Sequence, residues 1–292
     1  MTDYVALTTL RTLARQRADM ENSQFVSANE WREYINRGYA ELYDLLTTSA
    51  SSEDYFLNSN TFSLVSGTKV YDLPSDFYKM RGVDLISGSD SIPLRRYNFS
   101  QRNVGSRYAV ARYLRYHLQG TQVSFNPKPS TTDSVKLWYV PSPKKFIENT
   151  PTAITRGTTT MWTVGSNHKF VVGDLVTGVG FTASDYSVDQ EITAVGAATI
   201  TTDLNSAGLA DPVIYGSVET RLDFYSGWDE YVICASAIDA LTKEESDITA
   251  VMGQLERVRA RILAVAELRD VGEPVTVTDV GTYYSDFAYR VA

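Results

Sequence analysis

A single cysteine, Cys234, and two histidines, His117 and His168, stand among 292 residues. One cysteine closes no internal disulfide, so packing must hold the fold, and an intracellular origin fits. So few Cys and His residues disfavour zinc sites and a histidine-based catalytic device. No run of about 18 apolar residues occurs, so no membrane span is expected. No basic region followed by an apolar core opens the chain, so no secretory signal is expected. P-loop, G-x-S-x-G, H-E-x-x-H and calcium-loop patterns are all missing. Aromatic residues, by contrast, reach 12%, with 19 Tyr against 11 Phe and 4 Trp. Tyrosine joins an apolar ring to a polar tip and suits half-wet interfaces. The composition points away from an enzyme and toward a protein that binds.

The net charge of -8 is unevenly spread. Segment 149–220 carries only Arg156 and Lys169 against seven acids, a net of -5. Segment 79–116 carries eight basic residues against Asp84 and Asp90, a net of +6. Such a separation bears on partners and association.

Apolar spacing predicts four helices. The first runs from Tyr4 through Val5, Leu7, Leu10, Leu13 and Ala14. The second opens on a Ser27-x-x-Glu30 capping box and carries the stripe Trp31, Tyr34, Ile35, Tyr39, Leu42, Leu45, Leu46 to about Thr47. A third follows Trp228, Tyr231, Val232, Ala235, Ile238 and Leu241. Ser246 is the expected cap of a fourth, along Ile248, Val251, Met252, Leu255, Val258, Ile262 and Val265. Between them the period is two. A hairpin about Ser66-Gly67, strands near 83–86 and 92–97, a hairpin about Gln119-Gly120 and a strand at 135–140 predict one small antiparallel sheet. Segment 149–220, rich in Thr, Gly, Val and Ala, reads as a separate β module with strands near 171–176, 190–195 and 198–202.

Candidate chemistry is thin. Gly178-Val-Gly-Phe-Thr-Ala183 fits a dinucleotide fingerprint, but no helical period follows it, and a glycine-rich turn is the plainer reading. Asp185, Asp189 and Glu191 could serve a hydrolase or a cation, or simply be solvated. Cys234 falls near an apolar helix face, as a small buried hydrophobe would. The one functional-looking patch is basic and aromatic: Arg95, Arg96, Tyr97, Phe99, Arg102, Arg107, Arg112, Arg115 and Tyr116. It suits nucleic-acid contact, an acidic protein surface, or a solvated sheet rim. Overall acidity weighs against tight DNA affinity. The stretch after Gly272, with Tyr283, Tyr284, Phe287 and Tyr289, has no evident internal partner and reads as a docking arm.

Four strings together carry a resemblance: Trp31-Arg-Glu-Tyr-Ile-Asn-Arg-Gly-Tyr-Ala-Glu-Leu-Tyr, Tyr71-Asp-Leu-Pro-Ser-Asp-Phe, Gly120-Thr-Gln-Val-Ser-Phe-Asn-Pro, and Trp228-Asp-Glu-Tyr-Val. With the order of elements around them, 1–148 and 221–270 resemble the head-to-tail adaptor (connector) proteins of tailed bacteriophages. Val172-Gly-Asp-Leu-Val and Ile192-Thr-Ala-Val-Gly-Ala-Ala-Thr-Ile look like a small β insert of phage structural proteins.

With the pattern of elements, the resemblance implies an α+β fold: a bundle of N- and C-terminal helices, a small antiparallel sheet and an extended arm at 271–292; the inserted all-β module at 149–220 departs from the family's minimal pattern. The resemblance implies a non-enzymatic virion protein without cofactor or metal, assembled in the host cytoplasm. Its implied partners are sister copies in a ring, commonly of twelve, the portal protein and a tail or nozzle protein, with double-stranded DNA passing through the channel. The arm, anchored by Tyr283, Tyr284, Phe287 and Tyr289, would dock on the portal. Arg95, Arg96, Arg102, Arg107, Arg112 and Arg115 would form an interface. An alternative is a carbohydrate- or receptor-binding tail component using 149–220.

Overall fold

The computed structural model describes residues 2–48, 55–102, 114–130, 132–210, 216–225 and 227–267. Ser27 and Glu30 close the capping box that their spacing predicts. The Ser27 N–H donates to Glu30 Oε2 (2.8 Å), and the Glu30 N–H donates to Ser27 Oγ (3.3 Å). From there Ala28–Thr48 forms the second of four helices, α2. Trp31, Ile35, Tyr39, Leu42 and Leu46 are buried along one face of it. The Thr47 and Thr48 hydroxyls bond back to the Asp44 carbonyl where α2 ends. Helix α3 (Asp229–Glu244) lies against α2. A Cβ on Gly38 would sit 3.1 Å from Ala235 Cβ and 3.4 Å from the Val232 carbonyl oxygen, so glycine permits this close approach. Glu245, at φ 61°, turns the chain in the left-handed region toward α4 (Thr249–Glu267). Asp247, rather than the expected Ser246, supplies the acceptor there, taking the Thr249 N–H at 2.9 Å. Ser246 instead donates to Glu244.

The first helix, α1, spans Leu7–Arg17 and does not begin at Tyr4. Residues Thr2–Ala6 form strand β1, paired antiparallel with β16 (Ser217–Tyr225), Val5 facing Leu222. A ladder to a strand more than two hundred residues away overrides the local helical spacing. Ala6 offers no side-chain cap, so α1 takes one from β16. Glu219, fully buried, accepts the Thr8 N–H at 2.8 Å on Oε2 and the Thr8 hydroxyl on Oε1. All four helices share one core with Phe146, Leu222 and Phe224. Each large apolar side chain buried there contributes roughly 1.5–3 kcal/mol. No helix among the described residues is long and apolar enough to cross a membrane.

The expected single small sheet is two. Strands β2 (Asn58–Ser63), β4 (Phe77–Ser87), β5 (Asp90–Pro93) and β9 (Ser134–Pro141) run in the order β2-β9-β4-β5. Strands β3 (Val70–Asp72), β6 (Arg95–Arg96), β7 (Arg115–Gln119) and β8 (Gln122–Asn126) run in the order β3-β8-β7-β6. Leu85, Val123, Phe125, Val135 and Leu137 belong to the core the two sheets share. The hairpins at Gly88 (φ 62°) and Gly120 (φ 60°) form as expected. The hairpin expected about Ser66-Gly67 does not: β2 pairs with β9 and β3 with β8. The pair β6–β7 is parallel.

A third sheet takes in the strands of 149–220 together with β1 and β16. Strands β11 (Ala153–Thr155), β12 (Thr160–Thr163), β13 (Leu175–Val179), β14 (Gln190–Val195) and β15 (Thr199–Thr202) continue from β16 in the order β1-β16-β13-β14-β15-β12-β11. The short β10 (Glu148–Asn149) also pairs with β16. Trp162, Val176, Tyr186, Ile192, Ile200 and Val218 are buried within it. Strand β16 runs through position 220 without a break, so one strand belongs to both sides of that boundary. The strand expected at 171–176 begins only at Leu175. Residues 171–174 turn through Gly173 (φ 86°), leaving Val171 and Val172 exposed.

Candidate interface surfaces

Parallel pairing of β6 with β7 sets Arg95 beside Arg115 and Arg96 beside Tyr116. Strand β6 is the outer strand of its sheet, and all three arginines are exposed. Like charges side by side in a ladder repel. None of the ion pairs among the described residues includes Arg95, Arg96, Arg102 or Arg115. Past the strand, Phe99 is 61% exposed, with the Arg102 guanidinium 4.5 Å from its ring centre. His117 connects the two features. Its ring lies 5.2 Å from that of Tyr97 and 6.2 Å from that of Phe99, and its Nδ1 is 3.1 Å from the Tyr97 carbonyl oxygen. The structure thus gathers four of the six predicted interface arginines on one sheet edge. Arg107 and Arg112 lie outside the described residues, as do Tyr283, Tyr284, Phe287 and Tyr289 of the expected arm.

The acidic residues of 149–220 occupy a different surface. Glu191 on β14 points away from the core that its neighbours Gln190 and Ile192 enter, and Asp203 follows β15 beside it. The Glu191 N–H donates to Asp203 Oδ1 at 2.9 Å, and the Asp203 N–H to the Glu191 carbonyl at 3.1 Å. Neither carboxylate has a cationic partner among the described residues. Asp189 is different, since it pairs with Arg221. No group of three or more His, Cys, Asp or Glu among the described residues is placed to hold a metal ion.

The remaining candidates take structural places. Gly178-Val-Gly-Phe-Thr-Ala183 is the end of β13 and a turn through Gly180 (φ 79°). A Cβ on Gly178 would stand 2.6 Å from the Tyr186 carbonyl oxygen, so the glycine serves packing. His168 is buried. Its Nδ1 accepts the Phe170 N–H (3.3 Å), which leaves the proton on Nε2 to bond the Gly196 carbonyl (3.0 Å). Cys234 is buried on α3, with Arg17 Nη1 3.3 Å from its sulfur, and burial pushes its thiol pKa up. That direction opposes nucleophilic use.

A cleft of about 750 Å³, not anticipated from sequence, opens where α2 meets the chain at 141–149 and 167–174. Arg32, Asn36, Lys144, Lys145, Lys169 and Asp174 are among its lining residues. Lys144 is held across it to Asp174 at 2.8 Å.

A family model described as SU10 adaptor protein matches residues 6–210. No curated protein matches the chain.

Proposed function

Because the chain belongs to the SU10 adaptor protein family, and is therefore a phage structural adaptor of the virion, we propose that it works at the head-to-tail junction. In this reading, copies form a ring beneath the portal. The ring extends the DNA channel and bridges capsid to tail, without enzymatic activity or cofactor. The family match over 6–210 carries the proposal. The unpaired arginines on β6 and β7 support it, because a ring subunit must present two different faces to its neighbours. The residues at 271–292, with four aromatic side chains in their last ten positions, are the proposed portal-docking arm.

Sedimentation of the purified chain, alone and with portal particles, tests the reading. A ring-sized species in either condition is expected. A chain that stays monomeric in both overturns it. Removal of residues after Gly272 should leave the helical core folded and abolish portal binding; unchanged binding refutes the arm.

A further inference from the structure

We propose that the β6–β7 edge of one copy receives the acidic β14–β15 face of a second copy, Arg95 and Arg115 meeting Glu191 and Asp203. The contact rests on the ring reading above and names the surfaces that would make it.

The argument begins with cost. Arg95 and Arg115 are register partners on an outer strand pair, and among the described residues no carboxylate forms an ion pair with either. Such a pair repels until an anion arrives. Glu191 and Asp203 form the converse arrangement: two carboxylates joined backbone to side chain, both exposed, with no cation between them. Among the described residues, the ion pairs within one copy include none between these two groups. The wider sequence follows the same division, +6 over 79–116 and -5 over 149–220. The arginine edge also carries an exposed apolar residue, Phe99 at 61%, against the Arg102 guanidinium. Apolar contact ringed by charge pairs is how specific interfaces are built. Two unlike surfaces on one chain make a head-to-tail contact, which closes into a ring when the rotation permits.

Nucleic acid is the rival occupant of the arginine edge. A chain of net charge -8, with unneutralised carboxylates along its third sheet, repels a phosphate backbone at long range, which favours the protein partner.

Paired charge reversal tests the contact, in whichever condition, free or on portal particles, the wild-type chain assembles. Arg95→Glu with Arg115→Glu makes one variant; Glu191→Lys with Asp203→Lys makes the other. Each alone should weaken self-association by about tenfold or more. Mixed in equal amounts they should assemble as the wild type does, because every contact in an alternating ring is again complementary. Circular dichroism establishes that each variant is folded. Arg95→Gln with Arg115→Gln replaces a reversal that misfolds, and it too should weaken association. Variants that assemble like the wild type, or a mixture that fails to recover, overturn the contact and leave the ring reading standing. A chain that assembles in neither condition removes the ring reading and the contact with it. Loss of binding to a 30-base-pair duplex in the arginine variant, with assembly unchanged, assigns the edge to nucleic acid and overturns the proposal.

Discussion

Around Trp31 the buried side chains of the four helices are almost all apolar. Around Trp162, in the third sheet, they are interleaved with Thr160, Gln190, Thr202 and Ser206. The side chains of those four hydrogen-bond to one another in two pairs. Gln190 Nε2 donates to the Tyr186 carbonyl (3.0 Å), the Thr202 hydroxyl donates to Gln190 Oε1 (2.7 Å), and Thr160 and Ser206 hydroxyls meet at 2.7 Å. Trp162 Nε1 adds a bond to Thr202 Oγ1 at 3.3 Å. The helical core is held by area removed from water, which is non-directional. The third sheet is held in part by geometry: a satisfied polar network specifies one packing, whereas a half-satisfied one is costly. The two regions should therefore fail differently when cut.

The largest loss should come from the apolar side. Trp31→Ala should cost roughly 3–5 kcal/mol in urea unfolding, since the cavity it leaves cannot collapse fully between packed helices. A loss under about 1 kcal/mol would erase the contrast. Glu219→Ala acts where the two regions join. It strips α1 of its borrowed cap and leaves Thr8 and Ser217 without their acceptor, for about 2–3 kcal/mol in the same assay.

The polar network has a sharper signature. Gln190→Leu alone should cost about 1–3 kcal/mol, because Thr202 and the Tyr186 carbonyl lose a partner. Gln190→Leu combined with Thr202→Val should recover part of that loss, since an orphaned group costs more than a deleted pair. Additive losses would show that the bonds act singly.

The smallest effect is at the surface of the helical region. Lys243, then Ser27, hold the Glu30 carboxyl down at about 2, against an ordinary value of 4.5. A lowered folded-state pKa gives stability that is present above 4.5 and lost as the pH falls toward 2. Glu30→Gln should flatten that acid limb in melting-temperature profiles and leave neutral pH nearly unchanged. The group is exposed and solvent screens it.

The same contrast explains what could be read from the sequence. Helix α2 was legible because its cap and its stripe are both local: Ser27 reaches Glu30 three residues on, and Trp31 to Leu46 repeat at the helical period. Nothing local marks Tyr4 and Val5 as strand, since the reason is β16. The Ser66-Gly67 turn was real as a turn and wrong as a hairpin, because β9 and β8 claim its flanking strands. His168 sits among polar neighbours in sequence, and only the Gly196 carbonyl and the Phe170 amide explain its burial. At the candidate interface the composition of the arginine patch was legible and its geometry was not. Arg95 and Arg115 meet through a parallel pairing twenty residues apart, which no local spacing encodes.

Strand β16 has a consequence for how such chains diversify. A cassette exchanged at 149–220 would carry off Ser217 to Thr220, the half of β16 that pairs with β13 and β10, and with it the carboxylate that seats α1, while β1 keeps its partners at 221–225. A graft that keeps the recipient's own 217–225 would spare both. A cut made ahead of Ser217 therefore leaves the first helix seated, whereas a cut at 220 unseats it.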